Sequence, residues 1–239
     1  MEKKQPPLTT AFVIYIVGVF IGLALVLMST WSDMESAFYG FTRRASKPLN
    51  GLTCPLIMNG TENHTVSLTV KNTTDRRISP SIKSEASTRV APIETLDSIV
   101  LQPGESKTLT WTLGPENRDL RQFIFFKVLV YAAYPIPDRE TSCGIYVLDL
   151  PVGGDIISGT YIVLALLGMG YGLHLLNMLR TKYPRADQVY RPMLFLALVV
   201  IVGFCVSFFG SWVQGIFALV IAATTALASF NFMFLRSRN

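Results

Sequence analysis

Residues 192–235 read PMLFLALVVIVGFCVSFFGSWVQGIFALVIAATTALASFNFMFL, 44 consecutive positions without an Asp, Glu, Lys or Arg. As one helix the run would be about 66 Å long, roughly twice a hydrocarbon core of about 30 Å. It therefore reads as two membrane-spanning helices in a hairpin, 192–211 and 215–235. The turn falls at Gly210-Ser211-Trp212-Val213-Gln214-Gly215, where two glycines, a polar pair and an interfacial tryptophan coincide. Working outward, 11–28 and 156–179 are two further runs without Asp, Glu, Lys or Arg, and a polar stretch separates them. The 239 residues are 50% hydrophobic and 15% charged, with mean hydropathy +0.41. That composition excludes a single soluble globule.

The formal charge of +5 is unevenly placed. Residues 30–155 hold 13 basic and 14 acidic side chains, so the basic excess lies beside the apolar runs. Lys3 and Lys4 precede the first run, Arg180, Lys182, Arg185 and Arg191 lie between the second and third, and Arg236 and Arg238 follow the fourth. The positive-inside rule puts these segments in the cytoplasm. No basic stripe with interleaved stacking aromatics exists, so a nucleic-acid partner is not expected. The first run is read as a retained anchor rather than a cleaved signal peptide, because it is longer than an h-region and no A-x-A-like site follows Met28. The predicted order is a cytoplasmic N-terminus (1–9), helix 1 (10–30), an interfacial linker (31–50), an extracytoplasmic domain (51–152), helix 2 (156–179), a basic cytoplasmic loop (180–191), the helix 3 and 4 hairpin, and a cytoplasmic C-terminus (236–239). Trp31 and Tyr39 on the outer side, with Tyr183 and Tyr190 on the inner, fit the two aromatic belts.

Small residues recur four apart in every span: Gly18 and Gly22, Gly168 and Gly172, Gly203 and Ser207, Ala222 and Ala226. In lipid such pairs let helix backbones approach, so they are the expected packing positions, within a bundle or against other subunits. Cys205 in the third span reads as a small packing residue. Among ionisable groups inside the spans only His174 stands out, with Asn177 on the same helix face. It reads as a neutral, hydrogen-bonded histidine near the cytoplasmic end; the alternative is an axial ligand in a redox complex.

Between the first and second spans the pattern changes to period two. Val66, Leu68 and Val70 alternate with polar neighbours, as do Leu109, Trp111 and Leu113; Ile99 and Leu101 lead into a Pro103-Gly104 turn. A β-branched and aromatic run covers 123–134, and 145–150 closes the region. Strands with turns about every ten residues predict an antiparallel β-sandwich, with any helix short and peripheral. The fold class is thus α plus β: four transmembrane helices with an extracytoplasmic antiparallel Ig-like sandwich between the first and second.

The stretch VSLTVKN (66–72), followed by LQPGESKTLTWTL (101–113), resembles the immunoglobulin-like β-sandwich modules of the CARDB (cell-adhesion-related) type in prokaryotic surface proteins, where a strand ending in Asn precedes a PGE-S turn and a paired strand. The resemblance covers about 50 residues, leaves the spans out, and implies a fold rather than a function. It places the protein in a prokaryotic plasma membrane. Cys54 opens the domain and Cys143 lies in its last strand, both on the oxidising side, so a disulfide is expected; two buried free thiols are the alternative. Closing a loop of that length contributes about 4 to 5 kcal/mol on the chain-entropy model. Asn59, Asn63 and Asn72 each open an N-x-T sequon and would be glycan acceptors in a eukaryote.

No nucleophile elbow, HExxH, P-loop, GxGxxG or CxxC motif is present, and no cofactor or metal is implied. Glu94 with Asp97, and Asp138 with Glu140, read as solvated loop carboxylates, and Arg76-Arg77 as a solvated turn. Residues 38–44 (FYGFTRR) read as a segment on lipid headgroups, with a partner-docking arm as the alternative. The expected function is a non-enzymatic structural or assembly subunit of a larger complex, whose partners are other integral membrane proteins and the bilayer. The alternatives are a ligand-sensing or substrate-binding accessory of a transporter, and a redox-complex subunit using His174.

Overall fold

The computed structural model describes residues 8–40, 45, 47–209 and 211–234, with the side chains of 184, 185 and 230–234 outside the description. Lys3, Lys4, the 41–44 part of the aromatic and basic stretch, Gly210, Arg236 and Arg238 lie outside the described residues. The chain forms two compact units, one of residues up to Thr30 together with those from Ser158 onward, the other Trp31–Ile157.

Four helices are long and apolar enough to cross a membrane: α1 (Leu8–Phe38), α2 (Gly154–Leu179), α3 (Pro184–Phe209) and α4 (Trp212–Phe234). Each carries Leu, Ile, Val, Ala and Phe on most of its circumference, the pattern of a helix whose exterior faces hydrocarbon. The boundaries differ most from the sequence reading at two places. α1 continues eight residues past the predicted end, because nothing in WSDMESAF breaks a helix before Gly40, which takes the left-handed φ of +78° just after it. The stretch read as a basic loop up to Arg191 shortens to four residues, because Pro184 suits a first helical position and α3 begins there, taking Pro192 into its interior.

Within the helical unit, small residues set the contacts. A Cβ on Gly18 would lie 2.5 Å from Met169 N, one on Gly168 would lie 2.8 Å from Gly18 Cα, and one on Gly172 would lie 2.6 Å from Tyr15 Cβ. α1 and α2 therefore meet backbone to backbone. Gly22 faces Val200 and Phe204 of α3 in the same way, and Gly203 faces Val26. The Tyr15 hydroxyl donates to Met193 O at 2.6 Å, giving a buried phenol its partner. Ala222 is fully buried, Ala226 and Ser207 partly so. Cys205 does not pack inside: it is exposed on α3, one position from buried Phe204.

The second unit is two β-sheets around one core. Its strands are β1 (Lys47–Pro48), β2 (Leu52–Thr53), β3 (Ile57–Asn59), β4 (His64–Lys71), β5 (Ser81–Ala86), β6 (Ile93–Ser98), β7 (Ser106–Leu113), β8 (Arg118–Asp119), β9 (Phe123–Tyr131) and β10 (Arg139–Leu148). The larger sheet runs β1-β10-β9-β5-β6, with β3 on β10 and β8 on β9; the smaller runs β2-β4-β7. Val66, Leu68 and Val70 of β4 face Ile124, Phe126, Val128 and Val130 of β9 and Ile145 and Val147 of β10 in the core. The sandwich is not purely antiparallel. β1 and β3 both pair in parallel with β10, because two short segments of the crossing chain run alongside the last strand instead of turning back on it. Among the described residues, helix in this unit besides the ends of α1 and α2 is one short 3-10 turn at Pro115–Asn117.

Candidate functional site

β9 is buried on both faces. One face is the core; Phe123, Phe125 and Lys127 occupy the other, and the last turns of α1 cover them. Trp31 and Phe123 ring centroids lie 6.2 Å apart, Tyr39 and Phe125 4.9 Å apart, and Lys127 Nζ donates to Tyr39 O at 3.4 Å. Tyr39, one residue past the end of α1, thus packs on the sheet. Ser32 and Ser36, both buried, present small side chains to β10, where Gly144 sits so close that a Cβ would come within 1.8 Å of Ser32 O. Asp33 Oδ1 accepts the Gly144 N–H at 3.0 Å. Asp33 lies beyond the apolar 10–30 stretch, and burial pushes its carboxyl up to about 6 against that hydrogen bond.

The unit is closed at several other points. Cys54 and Cys143 are disulfide-bonded across the two sheets, with Cα atoms 6.5 Å apart. At the start of α2, Glu62 Oε1 accepts the Gly154 N–H at 3.0 Å, His64 Nε2 lies 3.3 Å from Asp155 Oδ2, and Arg118 grips Asp149 through two 2.8 Å bonds that hold the Asp149 carboxyl below the usual range. The Glu62 and His64 contacts join the sandwich to the first turn of α2.

Asn72 is fully buried and wholly used. Its Nδ2 donates to Arg76 O, Leu101 O and Gln102 O at 2.8 to 3.1 Å, and its Oδ1 accepts from Thr74 N and Oγ1. The folded unit therefore has no free amide for a glycan at Asn72, which is a turn-building residue. Asn59 Nδ2 is likewise engaged by Leu150 O and Val152 O, whereas Asn63 is exposed. Glu94 and Asp97 do not sit in a solvated loop. They lie on β6 three residues apart, so strand alternation sends them to opposite faces, and Glu94 pairs with Lys83 at 3.0 Å. Glu140 belongs to β10, with Asp138 just before it. Arg76 stays in its exposed turn, 3.6 Å from Asp75. His174 and Asn177 are exposed on α2, and no cluster of three His, Cys, Asp or Glu side chains suited to a metal exists among the described residues.

One concave surface of the unit lies on the open side of the sandwich. The smaller sheet ends at the β7 edge, and β6, exposed along most of its length, is an edge of the larger sheet. The resulting groove, about 350 Å³, is lined by Ser84, Ala86, Ile93 and Thr95 on one wall and Trp111 and Leu113 on the other. Phe126 lies at its base, 5.1 Å from the Trp111 ring. β7 presents its outer backbone edge to this groove. The sequence signal was there in Trp111, a large aromatic on an otherwise Thr-rich strand, but β6, charged and short, gave no alternation to mark the other wall.

No family model matches the chain, and no curated protein matches it. Among solved structures, a β-glucosidase from Listeria innocua is 22% identical over 46% of this chain and 17% of its own, with a TM-score of 0.29. A β-glucosidase from Erythrobacter marinus is 21% identical over 44% of this chain and 16% of its own, with a TM-score of 0.30. The CARDB domain of a Pyrococcus furiosus protein, solved in complex with di-metal ions, is 13% identical over 46% of this chain and 100% of its own, with a TM-score of 0.32. This chain spans about a sixth of the length of those β-glucosidases. Likenesses at this level carry no argument about activity.

Proposed function

We propose that this protein is a non-enzymatic, multi-pass membrane subunit that presents an extracytoplasmic Ig-like β-sandwich to another integral membrane protein. The observation that carries the reading is the groove beside β7. An unpaired strand edge next to an apolar trough is the geometry by which an extended segment of a partner adds to a sheet, backbone bonds supplying affinity and the trough specificity. The four apolar helices support membrane residence, and the basic residues beside them support cytoplasmic termini, with the sandwich on the outside of a prokaryotic plasma membrane. Arg180 lies over the Tyr190 ring and Lys182 over Tyr183, as basic and aromatic side chains do at a headgroup layer.

The test is extraction from native membranes in mild detergent, pull-down on a C-terminal tag and mass spectrometry, for the parent and for Thr95→Arg. Thr95 is exposed on the groove wall, so arginine there fills the trough without touching the core. A stoichiometric membrane-protein partner that is lost in the variant is the expected result. A chain that comes out alone and monodisperse overturns the subunit reading.

A second reading has one observation in its favour. A smaller cavity of about 150 Å³ at the opposite end of the sandwich is lined by Leu49, Val70, Ile78 and Ile136 together with Lys71 and Arg139, whose buried Nε has no partner among the described residues. A ligand-sensing accessory would hold a small apolar anion there, and saturable carboxylate binding lost in Arg139→Gln would favour that role over the subunit.

A further inference from the structure

We infer that the β8–β9 turn, Leu120-Arg121-Gln122, is a membrane-inserting tip that rests the sandwich on the phospholipid surface. This goes beyond the subunit reading and rests only on its premise that α1 and α2 cross the bilayer.

Leu120 and Arg121 both hold positive φ, 45° and 65°. A hairpin turn with consecutive left-handed residues favours Asn and Gly, which adopt that region at little steric cost. Here it holds a leucine, 62% exposed, followed by an exposed arginine. In water that choice gains nothing from the leucine side chain. At a bilayer surface it gains twice, since the leucine reaches the acyl boundary while the guanidinium meets phosphate.

The turn is also fixed at the end of the unit where the chain enters and leaves the spans. Arg118, at the base of the turn, grips Asp149 and donates through Nε to Arg121 O, and Asp149 stands five residues before α2. Gln122 Oε1 accepts from the Tyr146 hydroxyl at 2.9 Å, and Phe123 packs on Trp31, the first residue after the apolar stretch of α1. Around the same end Trp31, Leu150, Val152 and Ile156 are 43 to 63% exposed. These apolar groups share with Leu120 the end of the unit that holds both of its chain connections to the apolar helices, and that placement, with Arg121 beside Leu120, selects lipid over a protein partner as the occupant. β4 runs the other way, from His64 beside Asp155 to Lys71, so the Asn72 turn with Asp75 marks the opposite end of the unit.

The experiment uses the full chain with Cys205→Ser, leaving the Cys54–Cys143 bond intact, in nanodiscs of phosphatidylcholine and phosphatidylglycerol. Single cysteines at Leu120→Cys, Arg121→Cys, Asp75→Cys and Phe20→Cys carry the environment-sensitive fluorophore NBD. Quenching is measured with acrylamide from water and with two phospholipids, one bearing a doxyl group near the headgroup end of its acyl chain, for positions 75, 120 and 121, and one bearing it near the methyl end, for position 20. The expected result at 120 is blue-shifted emission, doxyl quenching, and acrylamide quenching several-fold weaker than at 75, with 121 between the two. Water-like quenching at 120, or protection from both quenchers, which would mean protein covers the tip, overturns the proposal. Position 20, exposed on α1, separates the premise from the inference. Doxyl quenching at 20 without it at 120 sinks the tip alone; its absence at 20 sinks the spans and the tip together.

Discussion

Asn72 shows how one residue type carries two readings. In the sequence it opens a sequon; in the fold its amide organises the turn after β4 by accepting and donating in every direction it can. Asn72→Ala leaves buried carbonyls without donors, and thermal melting of the purified chain should record a loss of about 1 to 3 kcal/mol. Asn63→Ala, at an exposed position, should leave the melting temperature unchanged. Asp33 makes a prediction of the opposite kind. Its folded pKa of about 6 lies above the ordinary carboxylate value of about 4, so the folded unit holds that proton more tightly than the unfolded chain. Stability is therefore greatest below pH 4 as far as this group is concerned, and it falls by up to about 2 to 3 kcal/mol as pH rises through 6. Asp33→Asn keeps an acceptor for the Gly144 N–H and should flatten that slope between pH 4 and 7; an unchanged slope would remove Asp33 as its source. The cysteines follow the simpler rule: Cys54→Ser or Cys143→Ser should lower the stability of the sandwich, by about 4 to 5 kcal/mol on the chain-entropy model. An unchanged melting temperature would show that the link constrains little.

At the scale of elements, what the sequence made legible was whatever repeats. The four apolar runs, the alternation in β4 and β7 and the unbroken apolar run of β9 each extend over much of their element. β1, β2, β3 and β8 are two or three residues long and exist because β10, β4 and β9 pair with them, which no local pattern encodes. The last turns of α1 were misread for a different reason. WSDMESAF is polar because it leaves the apolar stretch, yet its Ser32 and Ser36 are buried against a sheet. Small polar residues at helical spacing opposite a strand glycine were the available signal. Gly144→Ala tests that contact, since a Cβ there meets Ser32 backbone and neither can yield. The expected outcome is a destabilised sandwich unit with the disulfide still formed, read by limited proteolysis and non-reducing electrophoresis. Gly168→Leu does the same for the spans, where it forces α1 and α2 apart and should lower the detergent melting temperature.

For the molecule as a whole, partitioning the charge said more than its total. A net +5 spread evenly would describe a basic soluble protein; confined to the segments beside four apolar helices, it supports the proposed threading. The groove beside β7 was beyond sequence reasoning, because it arises from two sheets of unequal width and belongs to neither alone. The central claim is that the sandwich and the basic loop face opposite sides of one membrane. Its most direct test is labelling of spheroplasts with a membrane-impermeant maleimide, using Asp75→Cys and Lys182→Cys separately in a Cys205→Ser background. The account predicts that position 75 labels on intact spheroplasts and position 182 only after permeabilisation. Labelling of both from outside, or of 182 and not 75, would contradict it.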